Sequence, residues 1–395
     1  MSATNNKLKM FLKVVLLVAC ACVGATTCAA TYTWKADENG NWDGNITDPA
    51  HWECDTAGSP EYPQSSSDNV KIPQNITAKI TIDKSVDTIF GKWELSDKCH
   101  VAFTSLMLDN NEMANLKMQS LNVKYGATLI LDRGRITHEA NDNVSFKRGA
   151  KVIVQNGSSL TVKNSYMQEL PNYGYSSIYV EVSGKSMATF TTITIGGGAK
   201  FVIDDSTVIV RNRLALQTDQ QGTYTSDATT MLFKGKGARL LFYEKDSYNA
   251  KSLQACVSAK IDGDVLNFDF LVPEGGYSST PVSMGDGKPS NNLFAAPQGN
   301  DTSKKGKFKF NILNESPSVL AQRKIEQNLV EWKRNISAES DGGFCFGNIV
   351  EGMPPQGAKE QIFSSGKTSQ ANNVGTFVYS VSLDCRPTGF KVIIR

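Results

Sequence analysis

Four Gly-Ala pairs divide the middle of this chain, at Gly126-Ala127, Gly149-Ala150, Gly198-Ala199 and Gly237-Ala238. Each is followed by one polar residue and three apolar ones: Leu129-Ile130-Leu131, Val152-Ile153-Val154, Phe201-Val202-Ile203 and Leu240-Leu241-Phe242. Glycine tolerates positive φ, so each pair reads as a turn that feeds a short strand. Ahead of the first three pairs, Leu121/Val123, Val144/Phe146 and Ile193/Ile195 alternate with polar residues. Alternation with period two marks strands buried on one face. The pairs lie 23, 49 and 39 residues apart, which reads as one repeat and two double steps. Repeats of about 20 to 25 residues are the mark of a solenoid. The fourth pair fits less well, because Lys234 stands in the upstream apolar slot. Second strands, Leu160 to Asn164 and Thr207 to Asn212, each close on Asn, and stacked Asn in left-handed turns suits a parallel β-helix. The expected fold is therefore all-β: a single-stranded parallel β-helix, or β-solenoid. The competing reading is an antiparallel sandwich whose hairpins look alike.

The first 30 residues have the form of a secretory signal peptide: Lys7, Lys9 and Lys13, an apolar run from Val14 to Val23, then small residues to Ala30. The run is short for a bilayer crossing and no later one is long enough, so the chain is not expected to span a membrane. Two exits are open, cleavage near Ala30 or lipid attachment at Cys20 in Leu17-Val18-Ala19-Cys20. With three of the 41 basic residues in the leader and all 39 acids outside it, the remainder is close to neutral. Such a balance gives no electrostatic case for nucleic acid. Three of the eight cysteines also lie in the leader. In an oxidising compartment the expected pairs are Cys54 with Cys99 and Cys345 with Cys385, leaving Cys256 buried.

From Thr31 to about Asp83 the chain departs from the repeat. Tyr32-x-Trp34, Asn41-Trp42, Asp48-Pro49-Ala50-His51-Trp52, Pro63 and Asp68-Asn69-Val70-Lys71-Ile72-Pro73 follow in order. This opening resembles that of secreted bacterial β-solenoid proteins, the autotransporter-passenger-like and pectin-lyase-like right-handed β-helices. The resemblance implies export and a helical stack of strands, and it says little about function. An open solenoid end exposes apolar side chains and unpaired strand edges, so a cap is needed there. The tryptophans fit an aromatic N-terminal cap. Alternatively Trp34, Trp42 and Trp52 form a platform on which a sugar ring stacks.

Asp37, Asn39, Asn41, Asp43, Asn45 and Asp48 fall at positions one, three, five, seven, nine and twelve of a calcium-type loop. Trp42 occupies the sixth position, where the sharp turn wants Gly, so a solvated turn is the preferred reading and no cofactor is expected. Polysaccharide lyase chemistry needs carboxylates with an Arg or Lys aimed at a sugar α-proton. The nearest set is Asp132, Asp204 and Asp205 with Arg211 and Arg213, residue types that solvated turns also contain. An insertion between Tyr166 and Ser186 carries Tyr173 and Tyr175, which become ligand-binding candidates because loops on one flank of a solenoid often bind.

The expected organisation is a leader (1–30), an aromatic cap with the first strands (31–83), solenoid repeats (84–250), a loop-rich extension (251–315) and a small α+β C-terminal cap (316–395). In that cap Ser316-Pro317 opens a helix along which Ile325, Leu329, Trp332 and Ile336 recur at helical spacing. Strands are expected over Thr376–Leu383 and Phe390–Ile394. The functional expectation is a secreted or surface-exposed binding scaffold that contacts a glycan or cell-surface component. A polysaccharide-degrading enzyme is the alternative, and a structural matrix or coat protein the third reading.

Overall fold

A computed structural model describes residues 29–84, 91–138, 144–167, 177–195, 199–216, 230–243, 254–255, 260–263, 266–271, 276, 282–284, 308–312, 326–336, 349–350 and 375–384. These residues are almost wholly strand and turn, with one helical element, the 3-10 turn Pro49–His51. The strands form sheets of sixteen, nine and three members. From Asn69 to Leu271 the chain passes repeatedly between the two larger sheets, so that each strand pairs with one from the next passage. All pairings in the nine-stranded sheet are parallel.

The apolar triplets now have a direct reading. In the nine-stranded sheet, Leu129, Val152, Val180 and Phe201 share one column, and Leu131, Val154, Val182 and Ile203 share another. Both columns point inward and are buried. The central residue of each triplet points outward, because side chains alternate faces along a strand. The long sheet supplies the opposite wall through residues such as Leu121, Val123, Phe146, Leu160 and Phe190.

Two kinds of corner join the sheets. At the first, Gly126 and Gly149 hold φ of 66° and 71°, and the alanines that follow them are fully buried. Asn75-Ile76, Lys98-Cys99 and Ser177-Ile178 turn the chain in the same way, with the leading residue again at positive φ. The 49-residue interval therefore contains a corner without a Gly-Ala pair, at Ser177-Ile178. The fourth pair belongs elsewhere: Gly237-Ala238 joins Thr230–Lys234 of the nine-stranded sheet to Arg239–Tyr243 of the long sheet, the opposite corner. That is why Lys234 breaks the pattern there.

At this second corner the ladder is serine, not asparagine. Ser158, Ser186 and Ser206 are buried at equivalent positions. Gly134 N–H donates to Ser158 Oγ (3.0 Å), Ser158 N–H to Ser186 Oγ (3.1 Å), and Ser186 N–H to Ser206 Oγ (3.1 Å). Asn164 and Asn212, expected in left-handed turns, lie inside the strands Ser159–Met167 and Thr207–Leu216.

The N-terminal end is closed by aromatic side chains. Thr31–Trp34 pairs antiparallel with Trp52–Cys54 and parallel with Asn69–Ile72, so the first strand turns the sheet edge back on itself. Trp34 stacks on His51 at 4.8 Å and meets Trp52 edge-on, and Trp52, Trp93 and Phe103 continue the contact into the core.

The expected helix after Ser316 is corrected. Glu326–Ile336 is a strand, antiparallel to Gly375–Asp384 and parallel to Val282–Met284. The spacing of Leu329, Trp332 and Ile336 suits a helix, but Val330, Trp332 and Ile336 equally share one face of a strand. A partner some fifty residues away decided between the two periods, with Trp332 in register with Tyr379 and Val330 with Val381. The expected strands Phe308–Leu313 and Thr376–Leu383 correspond to Phe308–Ile312 and Gly375–Asp384. The leader through residue 28, Phe390–Ile394, Tyr173, Tyr175, Cys256, Cys345 and Cys385 lie outside the described residues.

Candidate functional site

On the outer face of the long sheet, Thr33, Lys71, Glu94 and Asn122 stand in one column, each opposite the next. Their chain neighbours Tyr32, Val70, Trp93 and Leu121 point inward and are buried, so the pleat alone turns this polar column toward solvent. The turns beyond these strands add Pro73, Gln74, Ser96, Asp97, Lys124 and Tyr125 as one wall. Together they line an open groove of about 640 Å³.

The groove has three chemical features. Lys124 Nζ lies 3.2 Å from Glu94 Oε2 with both side chains about one-third exposed, an ion pair that positions more than it stabilises. Tyr125 is 48% exposed and offers an aromatic surface at the rim. Ser96 is buried, and its Oγ has no hydrogen-bond partner among the described residues. A buried polar atom left unpaired costs free energy until something bonds to it. Hydroxyls, an amide, ammonium groups and carboxylates around one aromatic ring suit a polyhydroxylated ligand. In the sequence this site was hidden, because its members come from four separate passages of chain; Lys124-Tyr125 just before the first Gly-Ala pair was the only local hint.

The tryptophans expected as a sugar platform divide. Trp34 and Trp52 are 0% and 4% exposed, so neither ring offers a face to a ligand. Their indole N–H groups donate to Trp42 O and Ile46 O, both at 2.9 Å, as rings fixed in a packed cap do. Trp42 is half-buried against the same cluster. Tyr32 is likewise enclosed, and burial, with Cys54 and Asp68 nearby, pushes its phenol up to about 12.

The calcium-type alternation has a local explanation. Asp37 Oδ1 accepts from the N–H groups of Asn39 and Asn41, and Asn41 Oδ1 accepts from Asp43 N–H. Asp43 Oδ1 accepts from Lys79 N–H, and Asp48 Oδ1 caps the 3-10 turn through Ala50 N–H. Short oxygen-bearing side chains that bond backbone two residues on produce this spacing in a turn. The bonds from Asn41 and Asn39 hold the exposed Asp37 carboxyl below its ordinary range.

The carboxylates proposed for lyase chemistry are not gathered. Asp132 and Asp204 end strands that are three sheet steps apart, roughly 14 Å at the usual strand spacing. Asp132 Oδ1 accepts from Asn156 Nδ2 (2.9 Å), and Asp205 Oδ1 accepts from Gly237 N–H (2.8 Å). Each thus ties one passage of chain to a neighbouring one at the serine corner. Arg211 and Arg213 sit across the corner on the long sheet, where the strand bulges opposite Phe190–Thr192. The expected Cys54–Cys99 bond is also absent: both are free. Cys99 fills the corner column between Ile76 and Ala127, facing inward, while Cys54 lies on the terminal strand with its Sγ directed to Thr56 O. Burial pushes the Cys99 thiol from 9.0 up to about 12.

Among the described residues no helix is long and apolar enough to cross a membrane, and no cluster of His, Cys, Asp and Glu is arranged to hold a metal ion. Comparison with family models, with curated proteins and with solved structures finds no match for this chain.

Proposed function

We propose that this chain is a single-stranded parallel β-helix, closed at one end by its aromatic cap, that serves as a secreted or cell-surface binding scaffold and holds a glycan in the outer groove. The reading rests on that groove, an open polar channel of about 640 Å³ with Tyr125 at its rim and an unpartnered Ser96 hydroxyl in its wall. An aromatic ring offers flat apolar area to a pyranose while surrounding polar groups bond its hydroxyls. Export follows from the leader, by cleavage near Ala30 or through a lipid on Cys20, and the intact mass of the exported chain separates the two. The fold also supports the resemblance to autotransporter-passenger-like and pectin-lyase-like solenoids: repeated in-register parallel pairing gives each passage of chain the same neighbour relation.

A screen of the purified chain against polysaccharides tests the function. Binding without turnover is expected. Tyr125→Ala should weaken it about tenfold, equivalent to roughly 1.4 kcal/mol, and Ser96→Ala by less. Release of reducing or unsaturated ends from any polysaccharide would assign catalysis instead.

A further inference from the structure

The outer face of the nine-stranded sheet carries three parallel columns of side chains. The middle column contains Ala102, Ile130, Ile153, Glu181, Val202 and Leu232, in register from strand to strand. A solvated sheet face is ordinarily polar at such positions. Here Ala102, Ile130, Ile153 and Leu232 are half-buried, and Val202 is fully buried without belonging to the core cluster. The column on one side holds Lys151, Tyr179 and Lys200, with both lysines exposed. The column on the other side holds Asp132, Gln155 and Asp204. The face is thus an aliphatic stripe with a basic border and an acidic border.

From this arrangement we infer that the face binds a second copy of the same chain, the two stacks lying side by side and pointing the same way about a two-fold axis parallel to them. The border charges select the occupant and its orientation. Rotation about that axis exchanges left and right, so the basic border of one copy meets the acidic border of the other at the same height. Lys200 and Asp204 end the same strand on opposite borders, so each Lys200 faces Asp204 of the second copy, and Lys151 lies one strand from Asp132 of the second copy. A two-fold perpendicular to the stack would set lysines against lysines. Glu181 is the one charge in the stripe between Ile130 and Leu232, and it meets its own copy near the axis. The patch is roughly 24 Å by 14 Å from strand geometry, a size typical of weak interfaces. The association is therefore concentration-dependent and weakened by salt.

Sedimentation of the purified chain over a concentration series tests this. Expected is a monomer–dimer equilibrium that shifts to monomer with added salt, that Lys200→Glu or Asp204→Lys abolishes, that the double variant restores, and that Glu181→Gln strengthens. In a Cys54→Ser background, Ile153→Cys is expected to give an oxidised dimer joined at residue 153. A chain monomeric throughout, a double variant that fails to restore the dimer while its circular dichroism is unchanged, or a Lys200→Glu variant that dimerises more tightly would overturn the inference. A dimer that persists without a residue 153 cross-link would overturn the choice of face.

Discussion

The two corners solve one problem with opposite chemistry. At both, the first residue of the next strand donates its N–H to a carbonyl in the passage below: Lys151 to Ala127 (2.9 Å) at the first corner and Met187 to Ser158 (2.9 Å) at the second. Side chains at the first corner, Ile76, Cys99, Ala127, Ala150, Ile178 and Ala199, add no polar atom beyond one thiol. At the second corner Ser158 Oγ accepts from Gly134 N–H and donates to Leu131 O (2.9 Å), so the ladder is polar and bonded along its length. The comparison teaches that burial alone does not choose the residue. Where a backbone N–H would otherwise be unmet, a hydroxyl belongs; where the backbone is already satisfied, a small apolar side chain packs more tightly.

Exchanging the chemistries should break this division, and the largest loss is expected at the serine corner. Ser158→Ala leaves the buried N–H of Gly134 without its acceptor, which should lower unfolding free energy by about 1–3 kcal/mol, read from urea denaturation. At the other corner the preference should invert. Cys99→Ser places a hydroxyl in a dry column and should cost about 1–3 kcal/mol, whereas Cys99→Ala should cost roughly 1 kcal/mol. A Cys99→Ser variant as stable as Cys99→Ala would show that the first corner is not dry.

The smallest effect is on alkaline stability. The Cys99 thiol ionises at about 12 in the folded chain against 9.0 ordinarily. Its neutral form is therefore favoured by folding, and the contribution, complete below 9.0, is lost as pH rises toward 12. The melting temperature should fall over that window, and less steeply in Cys99→Ala. Tyr32 and Tyr179, each held up to about 12 chiefly by burial, add to the fall in both proteins.

Much of the architecture was legible because it is written in short periods. The alternation Leu121/Val123 and the turn-plus-triplet unit around Gly126 and Gly149 locate strands that the structure bears out. Corners led by Asn75, Lys98 and Ser177 were missed, because a backbone can take positive φ at Asn, Lys or Ser when neighbouring repeats hold it there. The outer groove was illegible for another reason: Thr33, Lys71, Glu94 and Lys124 are neighbours across a sheet and strangers along the chain.

By itself, the amino-acid sequence determined where strands begin, which of their faces is apolar, and that a tryptophan-rich segment precedes the repeats, since each follows from local sterics and side-chain hydrophobicity. Only the tertiary structure decided which corner each turn occupies, that residues 326–336 run as a strand, that Cys99 faces inward apart from Cys54, and which polar side chains share one groove. Those outcomes depend on pairing between segments twenty to fifty residues apart, and the register of that pairing is a property of the assembled sheet.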